Sequence, residues 1–350
     1  MNLTIAGGGL AGLLTAYFVK NNYENINIEV FEKFKLERYR VDCAEGLANQ
    51  RDSFKIIGKF VKPFVMNRLK RIVWIFDVDG EIKISSIMNR NFCIMIDRLK
   101  FQLFLIKKLH EMGVKINFGE KVNLNELEGD VVVDARGSKP GKYCQIAIYK
   151  ILEGNFENVK DTNFWMVKKD EPETLYWLFP LGNKIANLGC SGKVSKAKLN
   201  DFIKFISDFL SLEIGRCTKN GAGLLDYSYA AMMYEGKEKE VFLKDKNVVV
   251  KVGDAAGLVD PFYGEGMSGA ILSAFLLSKN LKNLEDYKNL LKKKNEFLKD
   301  RMVATLERVS NFDSFLNFML LLDGIDMKYT KFKPFFVLRY PGKFFKMLKI

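Results

Sequence analysis

The chain has 350 residues, 48% of them hydrophobic and intermixed with charged ones, so it can bury a large core and is not a disordered polymer. Its single histidine and five scattered cysteines, without CxxC or metal spacing, argue against a histidine-based metal site, a Ser-His-Asp triad, a structural zinc or a disulfide framework. A formal charge of +13 calls for an anionic partner, but no zinc-finger, helix-turn-helix or RNA-binding signature comes with it, and nucleic acid is set aside.

The first element is an apolar run, Leu3–Ala6, that ends in Gly7-Gly8-Gly9-Leu10-Ala11-Gly12. An amphipathic stretch, Leu10–Lys20, follows, and then Ile26–Phe31 with Glu32 at its end. A strand, a glycine turn, a helix, a strand and an acid about 20 residues on is the pattern of a dinucleotide site. Gly7, Gly9 and Gly12 let backbone N–H groups approach a pyrophosphate at a helix N-terminus, with Ala11 inside the turn, and Glu32 accepts from a ribose hydroxyl.

Further along, the pattern predicts a helix from near Glu45 toward Phe60. Arg71–Phe76 and Glu81–Ser85 flank the hairpin signal Asp79-Gly80. A strand is expected at Asn91–Asp97 and a helix at Arg98–Met112, whose last turn carries His110 as a dipole-matched cation rather than a catalyst. Val114–Phe118 and Asp130–Asp134 return as strands. Tyr143–Leu152, Asn163–Val167, Thr174–Phe179 and Lys184–Gly189 alternate as an antiparallel sheet does.

A second strand-turn-helix unit begins at Val248 and ends its strand in Gly253-Asp254. A simple NAD domain has no use for it. Flavoproteins of the glutathione-reductase type resemble this arrangement, with such an Asp on the ribityl chain, and FAD is therefore the expected cofactor. Helices are expected from Ser268 to about Leu322. The last segment, Lys328–Ile350, interleaves Lys328, Lys331, Lys333, Arg339, Lys343, Lys346 and Lys349 with bulky apolar residues and has no acid, a composition suited to an anionic lipid interface. A solvated tail packing its aromatics on its own domain is the rival reading. With no long uncharged apolar run, and with Met1 leading straight into a strand, the expected location is cytoplasmic, with peripheral contact at the membrane.

These residues resemble the flavin-dependent geranylgeranyl reductases of archaea and plants, within the p-hydroxybenzoate-hydroxylase-like flavoproteins. The likeness covers roughly residues 1–285. It rests on the glycine turn, Glu32, Arg98, Asp134-Ala135-x-Gly137, Gly253-Asp254, Cys43-Ala44-Glu45-Gly46, Gly264-Glu265-Gly266-Met267 and Pro172-x-x-Leu175-x-Trp177-x-Phe179-Pro180. Leu175 stands where the family motif has Tyr, and Ala44 where it has Gly.

The resemblance implies an α/β fold: a glutathione-reductase-type (Rossmann-like) FAD-binding domain with an inserted antiparallel β-sheet substrate domain and a helical C-terminal region. The expected segments are 1–60, 88–140 and 241–285 for FAD, 61–87 and 141–240 for the substrate sheet, and 286–350 for the C-terminal helical and basic region. It places Cys43, Ala44, Arg98, Gly253, Asp254, Gly264, Gly266 and Met267 with the glycine turn at the cofactor. Leu175, Trp177, Phe179 and Pro180 fall to an isoprenoid substrate. The implied reaction is saturation of geranylgeranyl double bonds, with Cys43, Glu45 and Glu265 as candidate acids and an external electron donor, NAD(P)H or reduced ferredoxin, because no second dinucleotide fingerprint is visible. A flavin monooxygenase of the same fold and a non-catalytic prenyl-lipid carrier are the alternatives. A halogenase is disfavoured because Leu175 occupies the first Trp position of W-x-W-x-I-P.

Overall fold

The computed structural model describes residues 1–237, 242–244 and 248–327. The basic segment Lys328–Ile350, expected at a membrane, lies outside the described residues. The chain opens with β1 (Asn2–Ala6), α1 (Leu10–Asn22) and β2 (Asn27–Glu32), then β3 (Gly46–Ala48) and α2 (Ser53–Val61). A long hairpin follows, β4 (Val65–Val78) and β5 (Glu81–Ile96), turning at Asp79-Gly80. Both turn residues have positive φ, which Gly and Asp accept at little cost. Next come α3 (Arg98–Glu111), β6 (Lys115–Phe118) and β7 (Val131–Asp134). Then come β8 (Cys144–Gly154), β9 (Thr162–Lys168), β10 (Leu175–Pro180) and β11 (Ile185–Gly192), of which β9, β10 and β11 form a meander while β8 pairs with β11, followed by α4 (Lys196–Leu210), β12 (Ile214–Asp226) and α5 (Ser228–Tyr234). The remainder is β13 (Phe242–Lys244), β14 (Val248–Lys251), α6 (Met267–Lys279), α7 (Leu284–Lys294), α8 (Phe297–Ser310) and α9 (Phe312–Leu321).

Among the described residues these strands form two sheets. The six-stranded one has the order β13-β14-β7-β1-β2-β6 and is parallel except at its β13 edge. Leu3, Ile5, Val30, Val132 and Val133 are buried in it, as strands covered on both faces require. β1 has β2 on one side and β7 on the other, so the connections leave it in opposite directions. The crevice at its C-terminal end is where such sheets bind ligands. The eight-stranded sheet, β12-β8-β11-β10-β9-β4-β5-β3, is antiparallel except between β4 and β9.

Side-chain alternation sorts the second sheet into two cores. Leu175, Trp177 and Phe179 join Trp74, Phe76 and Trp165 on the face toward Phe262 and α9. Tyr176 and Leu178 point the other way, onto Leu199, Phe202 and Ile206 of α4. The parallel sheet carries α1, α3 and α6, whose packed residues form the largest core.

One expectation is corrected. No helix starts near Glu45: that residue has φ 66° and leads into β3, and the helix begins at Ser53 after Arg51 and Asp52, both also at positive φ. The strand expected at Asn91–Asp97 is present as the far end of β5, within the antiparallel hairpin. Among the described residues no helix is long and apolar enough to cross a membrane.

Candidate active site

One cavity of about 540 Å³ runs from the first turn of α1 to the inner face of the antiparallel sheet. Its size falls in the range of ligand-binding clefts. At the α1 end the backbone is packed too tightly for side chains. Gly7 has φ 112°, and a Cβ there would stand 2.3 Å from the Ala135 carbonyl oxygen; one on Gly12 would stand 1.9 Å from that of Gly7. Gly9 is different, because a Cβ there meets nothing within 4 Å and would project into open space at the cavity wall. Gly9 is also the N-cap of α1 and makes no side-chain cap, leaving the helix's first N–H groups for a ligand. Gly7, Gly9 and Ala11 line this cradle, and Gly12 lies behind it as the packing residue. Lys33, Arg40, Lys121, Arg136 and Lys139 ring the mouth and favour a phosphate-bearing occupant.

Glu32 is held in place by two backbone donors, Gly8 N–H to Oε2 at 2.9 Å and Phe34 N–H to Oε1 at 2.9 Å. Beside it Tyr39 Oη donates to the Gly8 carbonyl at 2.6 Å and accepts from Gln102 Nε2. Gln102 Oε1 in turn accepts from Arg98 Nε at 2.9 Å. The chain thus locks the glycine turn to α3. Neither Tyr39 nor Gln102 was singled out from sequence, where single polar residues carry no period.

Cys43, Ala44 and Gly46 line the middle of the cavity, and Glu45 does not. The carboxylate of Glu45 turns to the start of α3, where Oε2 accepts from Arg98 N–H at 2.9 Å, next to the Asp97 cap. Burial raises its pKa. Cys43 is partly buried, and burial pushes its thiol up.

Opposite stands a short 3-10 turn, Gly253–Ala256, ending β14. Gly253 has φ 58° and packs on Ala11, behind the wall, while Asp254 faces the cavity. Burial raises the Asp254 pKa, and Ser138 Oγ donates to Oδ2 at 3.4 Å. Gly264, Glu265, Gly266 and Met267 line the start of α6. A Cβ on Gly266 would stand 2.8 Å from Asp254 Oδ1, so the two cofactor segments meet there.

Glu265 is buried, with Oε1 accepting from Ser268 N–H at 2.7 Å and Oε2 from Ser268 Oγ. Burial pushes its carboxyl up to about 7, even with the Arg51 guanidinium 3.6 Å away. Arg51 also donates to Ser268 Oγ at 2.6 Å, Asn295 Oδ1 at 2.7 Å and the Leu258 carbonyl at 2.9 Å. The sequence offered no signal for this arginine, since its partners lie more than 200 residues away.

The far half of the cavity is apolar. Trp177 and Phe179 line it with Leu69, Phe92, Trp165 and Tyr263; Leu175 and Pro180 do not. Trp165 meets Phe179 edge-on at 5.0 Å and Tyr263 at 5.5 Å between ring centroids. Trp177 Nε1 donates to Asn187 Oδ1 at 2.8 Å, and Asn187 Nδ2 reaches the Cys43 carbonyl at 3.4 Å. The apolar wall is therefore tied to the Cys43 loop. An open glycine cradle at a helix N-terminus, Glu32 beside it and Asp254 at a second helix fit FAD.

No family model matches the chain. A digeranylgeranylglycerophospholipid reductase of Methanococcoides burtonii is 32% identical over 304 residues, covering 77% of this chain and 71% of that protein. Among solved structures, a geranylgeranyl bacteriochlorophyll reductase-like protein from Thermoplasma acidophilum aligns with a TM-score of 0.74 at 16% identity, over 99% of this chain and 98% of that one. A flavin-dependent brominase aligns with a TM-score of 0.61 at 15% identity, over 91% and 93%. The two structural likenesses establish the fold, a Rossmann-like nucleotide sheet joined to an antiparallel sheet and C-terminal helices, as the sequence led us to expect.

Proposed function

The chain belongs to the digeranylgeranylglycerophospholipid reductase family, and from that premise we propose that it is an FAD-dependent reductase saturating the double bonds of geranylgeranyl chains in lipids, such as archaeal membrane-lipid precursors. The observation that carries the reading is the continuity of the cavity, from the glycine cradle at α1 to the wall of Trp165, Trp177, Phe179 and Tyr263. A prenyl chain offers only shape and methyl groups, and a rigid aromatic wall recognises both.

The residues that would hold FAD are Gly7, Gly9 and Ala11 at its phosphates, Glu32 at a ribose, and Asp254 with Gly266 and Met267 at the flavin end. When bound and reduced, FAD supplies hydride. The protein supplies a proton, a fixed substrate and the exclusion of water. Of the three candidate acids, Glu265 and Cys43 line the cavity and Glu45 does not. We assign the proton to Glu265, because it lines the cavity and burial pushes its carboxyl up to about 7, which favours its protonated form over that of an ordinary carboxylate. Ser268 holds both of its oxygens, and Arg51 supports Ser268 from behind. Cys43, its thiol kept protonated by burial, lines the same space as a positioning contact. An external donor, NAD(P)H or reduced ferredoxin, replenishes the electrons, and Lys328–Ile350 brings the enzyme to anionic lipid, where a prenyl chain enters without crossing water.

The test is anaerobic incubation of dithionite-reduced protein with geranylgeranylated glycerophospholipids, followed by mass spectrometry. Products gaining two hydrogens per reduced double bond are expected. A yellow protein that leaves every prenyl lipid unchanged, yet forms a C4a-peroxyflavin spectrum with oxygen and an aromatic substrate, would point to the monooxygenase reading instead.

A further inference from the structure

Residues 40–44 all line the large cavity, carry Cys43 across its middle and belong to no helix or strand. Among the described residues, none of the five makes a backbone–backbone hydrogen bond. Three side chains of the antiparallel sheet hold the segment instead. Lys219 Nζ, from β12, donates to the Val41 carbonyl at 2.6 Å, and Tyr149 Oη, from β8, donates to Asp42 Oδ1 at 3.2 Å. Asn187 Nδ2, from β11, donates to the Cys43 carbonyl at 3.4 Å. A segment held this way opens at less free energy than one locked into a strand ladder.

Strand β12 is shaped to meet it. Its register against β8 slips by one residue: Cys217 pairs with Leu152, but Lys219 pairs with Ile151. Tyr149 and Ile151 belong to the core on the cavity side of the sheet, and Leu152 to the core on the other side. The bulge therefore turns Lys219, Gly221 and Gly223 toward the cavity, where an unbroken register would have placed Thr218, Asn220 and Ala222. Lys219 also lies over the Tyr149 ring, 5.7 Å from its centroid. Gly221 sits beneath the contact: a Cβ there would stand 2.5 Å from Asp42 Oδ1 and 2.7 Å from Tyr149 Oη. Gly223 lines the cavity, and a Cβ there would meet nothing within 4 Å, so no side chain fills the sheet side of the seam. Arg40 and Asp42 are exposed, which puts the seam at the rim of the cavity.

We propose that residues 40–44 are a lid, that a prenyl chain enters the aromatic half of the cavity through the seam between this lid and β12, and that Lys219 and Tyr149 are the latch that shuts it. The identity of the entering chain rests on the reductase reading. Closure serves the chemistry, because proton and hydride are to reach the double bond in the absence of water. Opening carries Cys43 outward with the lid, while Glu265, held by Ser268 at the start of α6, stays in place.

The test uses the flavoprotein with its FAD oxidised. In the double variant Asp42→Cys/Gly221→Cys, a disulfide between the two positions clamps the lid to β12. Once peptide mass spectrometry has confirmed the bridge, the protein should stay yellow. It should carry less than about a tenth as much geranylgeranylated glycerophospholipid through gel filtration as wild type does, and dithiothreitol should restore the difference. A clamped lid that takes up the lipid as wild type does would overturn the proposal. A wild type that retains no prenyl lipid fails the reductase reading itself, and the entry role falls with it. If the double variant does not fold, bridge or recover on reduction, Lys219→Met combined with Tyr149→Phe decides. Loss of both latch bonds should speed maleimide labelling of Cys43 about tenfold, while the buried Cys190 stays as unreactive as in wild type. Labelling of Cys43 at the wild-type rate would overturn the lid.

Discussion

At Gly9 the sequence had a choice that it lacked at Gly7 and Gly12. Its backbone is extended, φ −76° and ψ −173°, which any residue adopts, and its surroundings are open. The fold leaves room for a side chain there, so on the proposed reading it is FAD that would exclude one. Gly9→Val should therefore purify without FAD while its apoprotein unfolds at the temperature of the wild-type apoprotein. Absorbance near the flavin band and a melting curve check both halves. Gly12→Ala, which drives a Cβ into the Gly7 carbonyl, should lose stability as well. Glu265 gives a second residue-scale prediction. The unfolded carboxyl ionises near 4.5 and the folded one near 7, so the native state holds the extra proton between those values. Stability from this group is full below 4.5 and falls as pH rises through about 7. Glu265→Gln should flatten that decline in urea-unfolding midpoints measured across the window. If Glu265 is also the proton donor, the same variant should lose about 10²-fold or more in turnover with prenyl lipid and keep its flavin.

At the scale of elements, β10 shows how one strand serves two cores. Its alternation was legible because apolar residues on both faces still differ in partner, aromatics toward the cavity and Tyr176 with Leu178 toward α4. The register was not legible. Trp177 pairs with Gly189 of β11, where a Cβ would stand 2.1 Å from Trp177 Cζ2, so the indole lies across a position that must be glycine. Gly189→Ala should displace the indole and cost about 1–3 kcal/mol by overpacking. Trp177→Ala should leave the flavin spectrum intact and impair long prenyl substrates; unchanged turnover on geranylgeranyl lipids would reduce Trp177 to ordinary core. The glycine turn, Glu32 and Asp254 could be read because a nucleotide imposes fixed spacing on local residues. The segment from Cys43 to Ser53 could not. Its course depends on positive φ at Glu45, Arg51 and Asp52, none of them glycine, and on partners of Arg51 at Ser268 and Asn295. Residue type alone would favour a helix there, and long-range hydrogen bonds decide otherwise.

Across the whole molecule, the charge of +13 is unevenly spread, and seven basic residues with no acid fall in Lys328–Ile350. Among the described residues, contacts that attach the C-terminal helices include Ser85 Oγ to the Met319 carbonyl at 2.6 Å, Ser86 N–H to Asp323 Oδ1 at 2.8 Å, and Met327 N–H to the Met88 carbonyl at 2.8 Å. The large cavity proposed to hold FAD is lined by residues no later than Ala270. Removal of everything after Met327 should therefore spare both fold and flavin. It should abolish co-sedimentation with anionic vesicles if the segment docks there, because each basic side chain near such a surface contributes about 1 kcal/mol. For the intact chain, binding should need anionic lipid and weaken as salt shortens the Debye length from about 10 Å at 0.1 M toward 3 Å at 1 M. Turnover should follow location: the truncated enzyme should keep activity on detergent-dispersed prenyl lipid and lose it on the same lipid presented in vesicles. Equal binding to neutral and anionic vesicles, or vesicle activity that survives truncation, would leave the segment without a role in docking and require lipid to reach the aromatic wall by another path.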